Sequence, residues 1–341
     1  MSEFRTVRGF EDVWRPPVRP RRVRPETVLG APAARSEVRA RLVRLVQRAP
    51  EVMVKVTGRT RDPGHLAAHL TYITRNGELA GEGRDGWRID GRREVLDLAA
   101  DWSAASAMDR RRRSNSPESL SIILSMPEGT DAIALTGAAR AFAAETFADR
   151  FDYLFVLHTD VGHPHVHLTV RALGEDGSRL NPKKADLEAW RQDFARALRE
   201  RGIAAEATPR RARGVTRKPE RTAVRKLRER AERGQASLPR VRRGAYLEAA
   251  KAAFGPAGDA EPWEVATMRR TATVRAVYLA QARLLSTSPD AADRVLGAQV
   301  EAFVRSWPAP DTQRLALARQ LRAANRELRR ARGAAGPDMT R

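Results

Sequence analysis

The sequence predicts an α+β fold, an antiparallel β-sheet with helices packed on it, and three observations predict it. Several short stretches alternate apolar and polar residues with the period of a strand. Two of them flank a turn short enough for a hairpin. Between the others lie amphipathic stretches with recognisable helix starts, so strands and helices must share one layered core.

Taken in order, residues 1–50 read as a basic N-terminal arm. The stretch RPPVRPRRVRPE has too few apolar side chains to build a core and is expected to be flexible. A short helix is expected within the arm over Ser36–Gln47. The first strand is VMVKVT, with Val52, Val54 and Val56 on one face and Lys55 on the other. A basic turn containing Arg59 and Arg61 follows.

Asp62 then caps a helix with Pro63 at its first position, and Asn76-Gly77 ends it. On this helix Leu66, Leu70 and Ile73 form the core stripe. His65, His69 and Tyr72 share an adjoining strip spanning roughly 60° at 3.6 residues per turn. Residues 78–91 are Gly-rich and read as a loop or short hairpin. A helix over Arg92–Met108 precedes a basic run, Arg110–Arg113, and a strand over Leu120–Met126. A further helix begins at Thr130 or Asp131 and reaches Ala148.

The hairpin comes next. In FDYLFVLH the residues Phe151, Tyr153, Phe155 and Leu157 face one way, and His158 ends the other face. Asp160, Gly162 and Pro164 supply the turn. In HVHLTV the side chains of His165, His167 and Thr169 share one face. A helix over Ala185–Arg201 and a short strand at Ile203–Glu206 close a domain spanning 51–208. Residues 209–341 read as a helical, Arg-rich region that binds DNA or a partner, its last helix carrying an apolar seam of Leu317, Leu321, Ala324, Leu328 and Ala331.

Composition narrows the chemistry. The 341 residues leave room for one or two domains, and 42% hydrophobic content suffices for a core. With 63 Lys and Arg against 42 Asp and Glu, the net charge of +21 points to a polyanionic partner, nucleic acid before anionic membrane. No apolar run is long enough to span a bilayer and no signal sequence is visible, so a cytoplasmic protein is expected. Cysteine is absent, so any metal must be held by histidine or carboxylate.

Four of the six histidines fall between His158 and His167. Two imidazoles one strand repeat apart suit a single cation, and the hairpin folds His158 back towards them. His163 is a fourth candidate, either a ligand or a DNA contact, so the third ligand stays open between His158 and His163. Asp160 is placed to orient a ligand imidazole. A histidine-bound cation, a tyrosine flanked by His65 and His69, and a basic surface together imply phosphoryl transfer to Tyr72. A divalent cation offsets charge on the phosphodiester, and the phenol attacks. The substrate is expected to be single-stranded DNA, the form that presents one phosphate to a shallow site.

At these residues the sequence resembles a family. HTDVGHPHVHLTVR is similar to the third motif of tyrosine DNA relaxases of the HUH endonuclease superfamily, and most similar to the MobP class, which includes the border endonuclease of T-DNA transfer. That motif runs His, any residue, Asp, then His-any-His, which falls here on His158, Asp160, His165 and His167. HLTYITRNG resembles the first motif and places the nucleophile at Tyr72. LSIILSMPEGTD resembles the middle motif, from which Ser125 is carried over as a DNA contact. Lys55, Arg59, Arg61, Arg75 and Arg171 are the basic residues expected to bind DNA.

The resemblance implies nicking and religation at a plasmid origin of transfer through a 5′-phosphotyrosine intermediate. It also implies a Mg²⁺ or Mn²⁺ cofactor, with Zn²⁺ the alternative. The partners it implies are single-stranded origin DNA, a relaxosome accessory protein and a type IV coupling protein, with passage to a recipient cell alongside the DNA. Other readings are a rolling-circle initiator or transposase of the same fold, a zinc hydrolase, and a non-enzymatic DNA-binding protein with a structural metal. The C-terminal half has no GxxxxGK[ST] loop for a helicase, and no HExxH glutamate serves a hydrolase.

Overall fold

A computed structural model of the chain describes residues 4–14, 35–215, 220–255, 260–308 and 310–334. The Pro- and Arg-rich stretch expected as an arm, RPPVRPRRVRPE, lies outside the described residues. The chain divides into two units, one formed by Arg15–Thr208 and the other by Met1–Trp14 together with Pro209–Arg341.

The first unit is built on a six-stranded sheet. Its strands are β1 (Met53–Thr60), β2 (Gly81–Gly83), β3 (Arg88–Ile89), β4 (Ser119–Ser125), β5 (Tyr153–His158) and β6 (His165–Arg171), in the order β1-β4-β6-β5-β2-β3. Each neighbouring pair is antiparallel. Its helices are α1 (Arg35–Val46), α2 (Pro63–Ile73), α3 (Arg92–Met108), α4 (Ala132–Phe147) and α5 (Lys184–Arg199). The Gly-rich stretch thus contributes a small hairpin, β2-β3, to the sheet edge beside β5. The short strand expected at Ile203–Glu206 reduces to one bridge, Glu51 to Glu206.

Strand alternation sorts the side chains as the sequence patterns imply. Val54, Leu124 and Val166 are register partners, as are Ile122, Leu168 and Phe155. That face is covered by Leu135, Phe142 and Phe147 of α4 and by Trp190, Phe194 and Leu198 of α5, forming the main core. On the opposite face the register rows are Met53, Ser125, His165, His158 and Lys55, Ile123, His167, Val156. Helices α2 and α3 cover only part of this face. Leu66, Leu70 and Ile73 pack on Leu154 and Val156 with Val95, Ala99 and Trp102. Met53 and Lys55 stay exposed, and Ile123, His165 and His167 half-buried. The histidines therefore stand on the open half of the sheet, beside α2.

The start and stop of α2 are chemically defined. Asp62 accepts a hydrogen bond from the His65 amide at 2.8 Å, and Pro63 occupies the first turn. After Ile73 the chain turns through Arg75, Asn76 and Gly77, whose φ values are 50°, 58° and 87°. A Cβ on Gly77 would lie 2.2 Å from the Arg92 nitrogen, so this turn meets the start of α3 only as glycine.

Part of the stretch expected as an arm has a defined place. Val38, Leu42 and Leu45 of α1 are buried. Arg41 and Arg44 pair with the buried Glu206 carboxylate, at 3.4 and 2.7 Å. A buried carboxylate with two guanidinium partners fixes α1 in register on this unit.

The second unit is helical. It contains α6 (Thr222–Glu232), α7 (Arg240–Phe254), α8 (Pro262–Ser286), α9 (Ala291–Arg305) and α10 (Gln313–Ala334). Residues 4–14 belong to its core. Phe10 packs edge-on against Trp14 and Tyr278, and Tyr278 against Phe303 and Trp307. Trp14 Nε1 donates to the Tyr278 hydroxyl at 2.9 Å, which donates in turn to the Ala212 carbonyl. Gln281 accepts from the Val7 amide and donates to the Arg5 carbonyl.

Deleting residues 1–14 removes the buried Phe10, Val13 and Trp14, each worth about 1.5–3 kcal/mol, and leaves Gln281 buried without those partners. The expected outcome in limited proteolysis is rapid cutting within 220–334 while 35–208 stays protected. Equal resistance of 220–334 with and without the segment would refute its place in this core.

Candidate active site

Three imidazoles meet at one end of the hairpin. His158 ends β5 and is the direct register partner of His165, which begins β6, with His167 two residues on. One ring nitrogen from each lies within 4.8 Å of the others. The ring centroids are 4.5 Å apart for His158–His167, 5.1 Å for His165–His167 and 5.3 Å for His158–His165.

Two of the rings have their tautomers set by backbone carbonyls, which can only accept. His158 Nε2 donates to the Ile73 carbonyl at 2.6 Å, leaving Nδ1 as its free lone pair. His165 Nδ1 donates to the His163 carbonyl at 3.3 Å, leaving Nε2 free. Three neutral nitrogen donors at this separation fit one cation held at about 2.1 Å after small side-chain rotations. The exposed His163 ring, 5.9 Å from that of His165, lies outside the set.

The histidines are also tuned electrostatically. Burial first, and the neighbouring imidazoles next, push His167 down to about 4 from its ordinary 6.5. Burial likewise lowers His165 and His69. Between pH 4 and 6.5 the unfolded chain therefore binds protons that folded His167 refuses, so stability falls as pH drops through that window. The metal-free protein should melt progressively lower from about pH 7 to pH 5, and His167→Gln should flatten the slope. A melting midpoint independent of pH across that range would contradict the burial argument.

Tyr72 stands beside the triad on the last turn of α2. Its ring is 6.5 Å from that of His167, edge to face, and 70% of the residue is exposed. Tyr153 and Tyr278 are buried. His69, one turn earlier, points to the sheet. Its Nε2 lies 2.9 Å from both Ser121 Oγ and Thr169 Oγ1. His65 is exposed in the first turn, roughly 10 Å along the axis from Tyr72 at 1.5 Å per residue. The structure thus does not bring His65 to the Tyr72 end of the helix.

Asp160 does not closely touch an imidazole of the triad. Its nearer oxygen is 3.9 Å from His158 Nδ1, while the other oxygen pairs with Arg75 at 2.6 Å. Its own backbone amide first, and then Arg75, hold its carboxyl below the ordinary range. The orienting partner of His158 is the Ile73 carbonyl, which sequence reasoning missed because a main-chain oxygen carries no residue signature.

The expected DNA contacts divide. Lys55 is exposed in the same register row as His167. Arg59 and Arg61 are exposed at the far end of β1, away from the triad. Arg75 is bound to Asp160. Two of the expected contacts are turned into the fold. Ser125 is buried between Met53 and His165, its hydroxyl turned to the Met126 and Pro164 carbonyls, so it presents no surface to DNA. Arg171 is half-buried and donates through Nη1 to Asp152 at 3.0 Å, a bond to a charged partner within the fold.

Residues 72–203 match the family model described as Relaxase: MobA/VirD2-like, nuclease domain. The T-DNA border endonuclease VirD2 of Rhizobium radiobacter is 27% identical over 188 residues, covering 50% of this chain and 44% of that protein. VirD2 of Agrobacterium fabrum is 28% identical over 190 residues, covering 50% of this chain and 42% of that protein. The chain therefore spans less than half the length of these curated relatives. Among solved structures, the Mn-bound MobM relaxase domain in complex with plasmid oriT DNA is 14% identical, with a TM-score of 0.37. The match covers 55% of this chain and all of that domain.

Proposed function

We propose, from the premise that residues 72–203 belong to the MobA/VirD2-like relaxase nuclease family, that this chain nicks and rejoins one DNA strand at an origin of transfer through a 5′-phosphotyrosine. The observation that carries this reading is the exposed phenol of Tyr72 beside three clustered, neutral-capable imidazoles.

His158, His165 and His167 would hold a divalent cation, Mg²⁺ or Mn²⁺ with Zn²⁺ as the alternative, whose charge would polarise the scissile phosphodiester and stabilise its transition state. The neutral ligands leave that charge undiminished. Tyr72 Oη attacks phosphorus and gives up its proton, the bond from phosphorus to the 3′-oxygen breaks, and that oxygen leaves as a 3′-hydroxyl after protonation. The 5′ phosphate remains on Tyr72. Because the ester conserves the bond, attack by a 3′-hydroxyl reverses the step.

Lys55, beside the triad on the open sheet face, meets the flanking phosphates of a single strand. Arg59 and Arg61 extend the basic surface along β1. Asp160 holds Arg75 across the end of α2, which steadies the loop between His158 and His165. Origin DNA in single-stranded form, a relaxosome accessory protein and a coupling protein of a type IV secretion system are the partners of this reading. Among the described residues no helix is long and apolar enough to cross a membrane.

The test is a covalent adduct. Labelled single-stranded DNA bearing a candidate origin, incubated with the chain and Mn²⁺, should yield a protein–DNA species that resists denaturant. It should be lost on chelation and released as rejoined strand when a 3′-hydroxyl acceptor is added. Binding without an adduct, at any divalent metal, would leave a DNA-binding protein and overturn the nicking reading.

A further inference from the structure

We infer that His69 is a positioning residue that sets where the Tyr72 phenol stands over the histidine triad, by pegging α2 to the two strands beneath it through Ser121 and Thr169. The inference rests on the nicking reaction proposed above and assigns a residue that touches neither cation nor phosphate.

His69 and Tyr72 are three residues apart on α2 and so lie on one side of the helix. Leu66, Leu70 and Ile73 meet the sheet through apolar contacts, on Leu154 and Val156. Such contacts hold a helix down but specify its slide and rotation weakly, because dispersion has little directionality. A hydrogen bond does specify them. His69 Nε2 lies 2.9 Å from Ser121 Oγ on β4 and 2.9 Å from Thr169 Oγ1 on β6. Those two residues are direct register partners, so one imidazole spans both strands at one level.

Thr169 is two residues beyond His167 on the same face of β6. The peg therefore references the nucleophile's helix to the strand that carries two of the three imidazoles. At the C-terminal end of the helix the Ile73 carbonyl accepts a hydrogen bond from His158 Nε2, a second polar tie to the same cluster. Two fixed points, one turn apart, define both the height and the rotation of the turn that bears Tyr72.

The full chain is assayed with a labelled single-stranded origin oligonucleotide and Mn²⁺. His69→Leu keeps the volume and loses the peg; a displacement near 1 Å should slow single-turnover adduct formation about 10- to 100-fold at saturating DNA. Half-saturation by DNA and Mn²⁺ affinity by calorimetry should each stay within about twofold. His69→Gln, whose amide reaches the same hydroxyls, should recover most of the rate. Ser121→Ala with Thr169→Val should reproduce the leucine variant.

An unchanged rate in His69→Leu, or glutamine no better than leucine, would overturn the peg. An independent reading uses metal-free protein without DNA. Amide exchange across Pro63–Ile73 should speed about tenfold in the leucine variant and stay near wild type in the glutamine variant, and equal exchange in all three would also overturn it. Should wild type form no adduct at all, the nicking reaction fails, while the exchange pattern still decides the peg.

Discussion

Tyr72→Phe should abolish the covalent adduct, lowering strand cleavage on the order of 10³-fold or more, while leaving DNA affinity and thermal stability near wild type. The change removes one oxygen. The ring is 70% exposed and its hydroxyl has no hydrogen-bond partner among the described contacts, so packing loses little. The other tyrosines do not offer a replacement of equal standing. Tyr153 is buried in the main core, and Tyr278 is fully buried with its hydroxyl bonded to Trp14 and Ala212. Tyr246 is 40% exposed but belongs to the helical unit. Gel resolution of the labelled adduct, with binding followed separately by anisotropy, reads both halves of this prediction. A Tyr72→Phe protein that still forms the adduct would remove the nucleophile from the account.

The second large effect is on metal affinity. His165→Ala should weaken Mn²⁺ binding about 100-fold or more, since one of three nitrogen donors is lost and the nearest carboxylate, Asp160, is held by Arg75. His163→Ala should leave affinity within about twofold, because its ring stands outside the cluster. His158→Ala should do both kinds of damage. It removes a donor and strands the Ile73 carbonyl, a loss of about 1–3 kcal/mol of stability on top of the lost ligand. Calorimetric titration of the three variants separates these outcomes. Comparable affinity losses for His163→Ala and His158→Ala would contradict the choice of third ligand.

The parts of this molecule written in side-chain alternation were legible in the sequence. HVHLTV and FDYLFVLH assign the residues of β5 and those of β6 up to Val170 to the faces they occupy, and the hairpin follows from them. Asp62 and Pro63 mark the start of α2, and Asn76-Gly77 its end. The facing of His165, His167 and Thr169 was readable for the same reason. What escaped was whatever depends on main-chain atoms or on long-range pairing. The Ile73 carbonyl orients His158, but no residue type announces it, so the sequence points to the Asp160 side chain instead. Ser121 shares a face with Ser125, and only strand register shows that Ser121 meets His69 while the Ser125 hydroxyl turns to the Met126 and Pro164 carbonyls.

Arg171 shows the converse limit: its charge and its place at the end of the histidine strand suggest DNA, and only the fold shows its ion pair with Asp152 beside the neighbouring strand. Residues 4–14 looked like part of a basic arm because local composition hid the pairing of Phe10 and Trp14 with Tyr278, more than 250 positions away.

The claim beneath all of this is that Tyr72 is the atom source for the bond to DNA. Mass spectrometry of the tryptic digest of the trapped adduct tests it most directly. The account predicts the 5′-nucleotide mass on the peptide Asp62–Arg75, localised by fragmentation to Tyr72. The same mass found on a peptide carrying Tyr246 or Tyr278, or on any residue other than Tyr72, would contradict it.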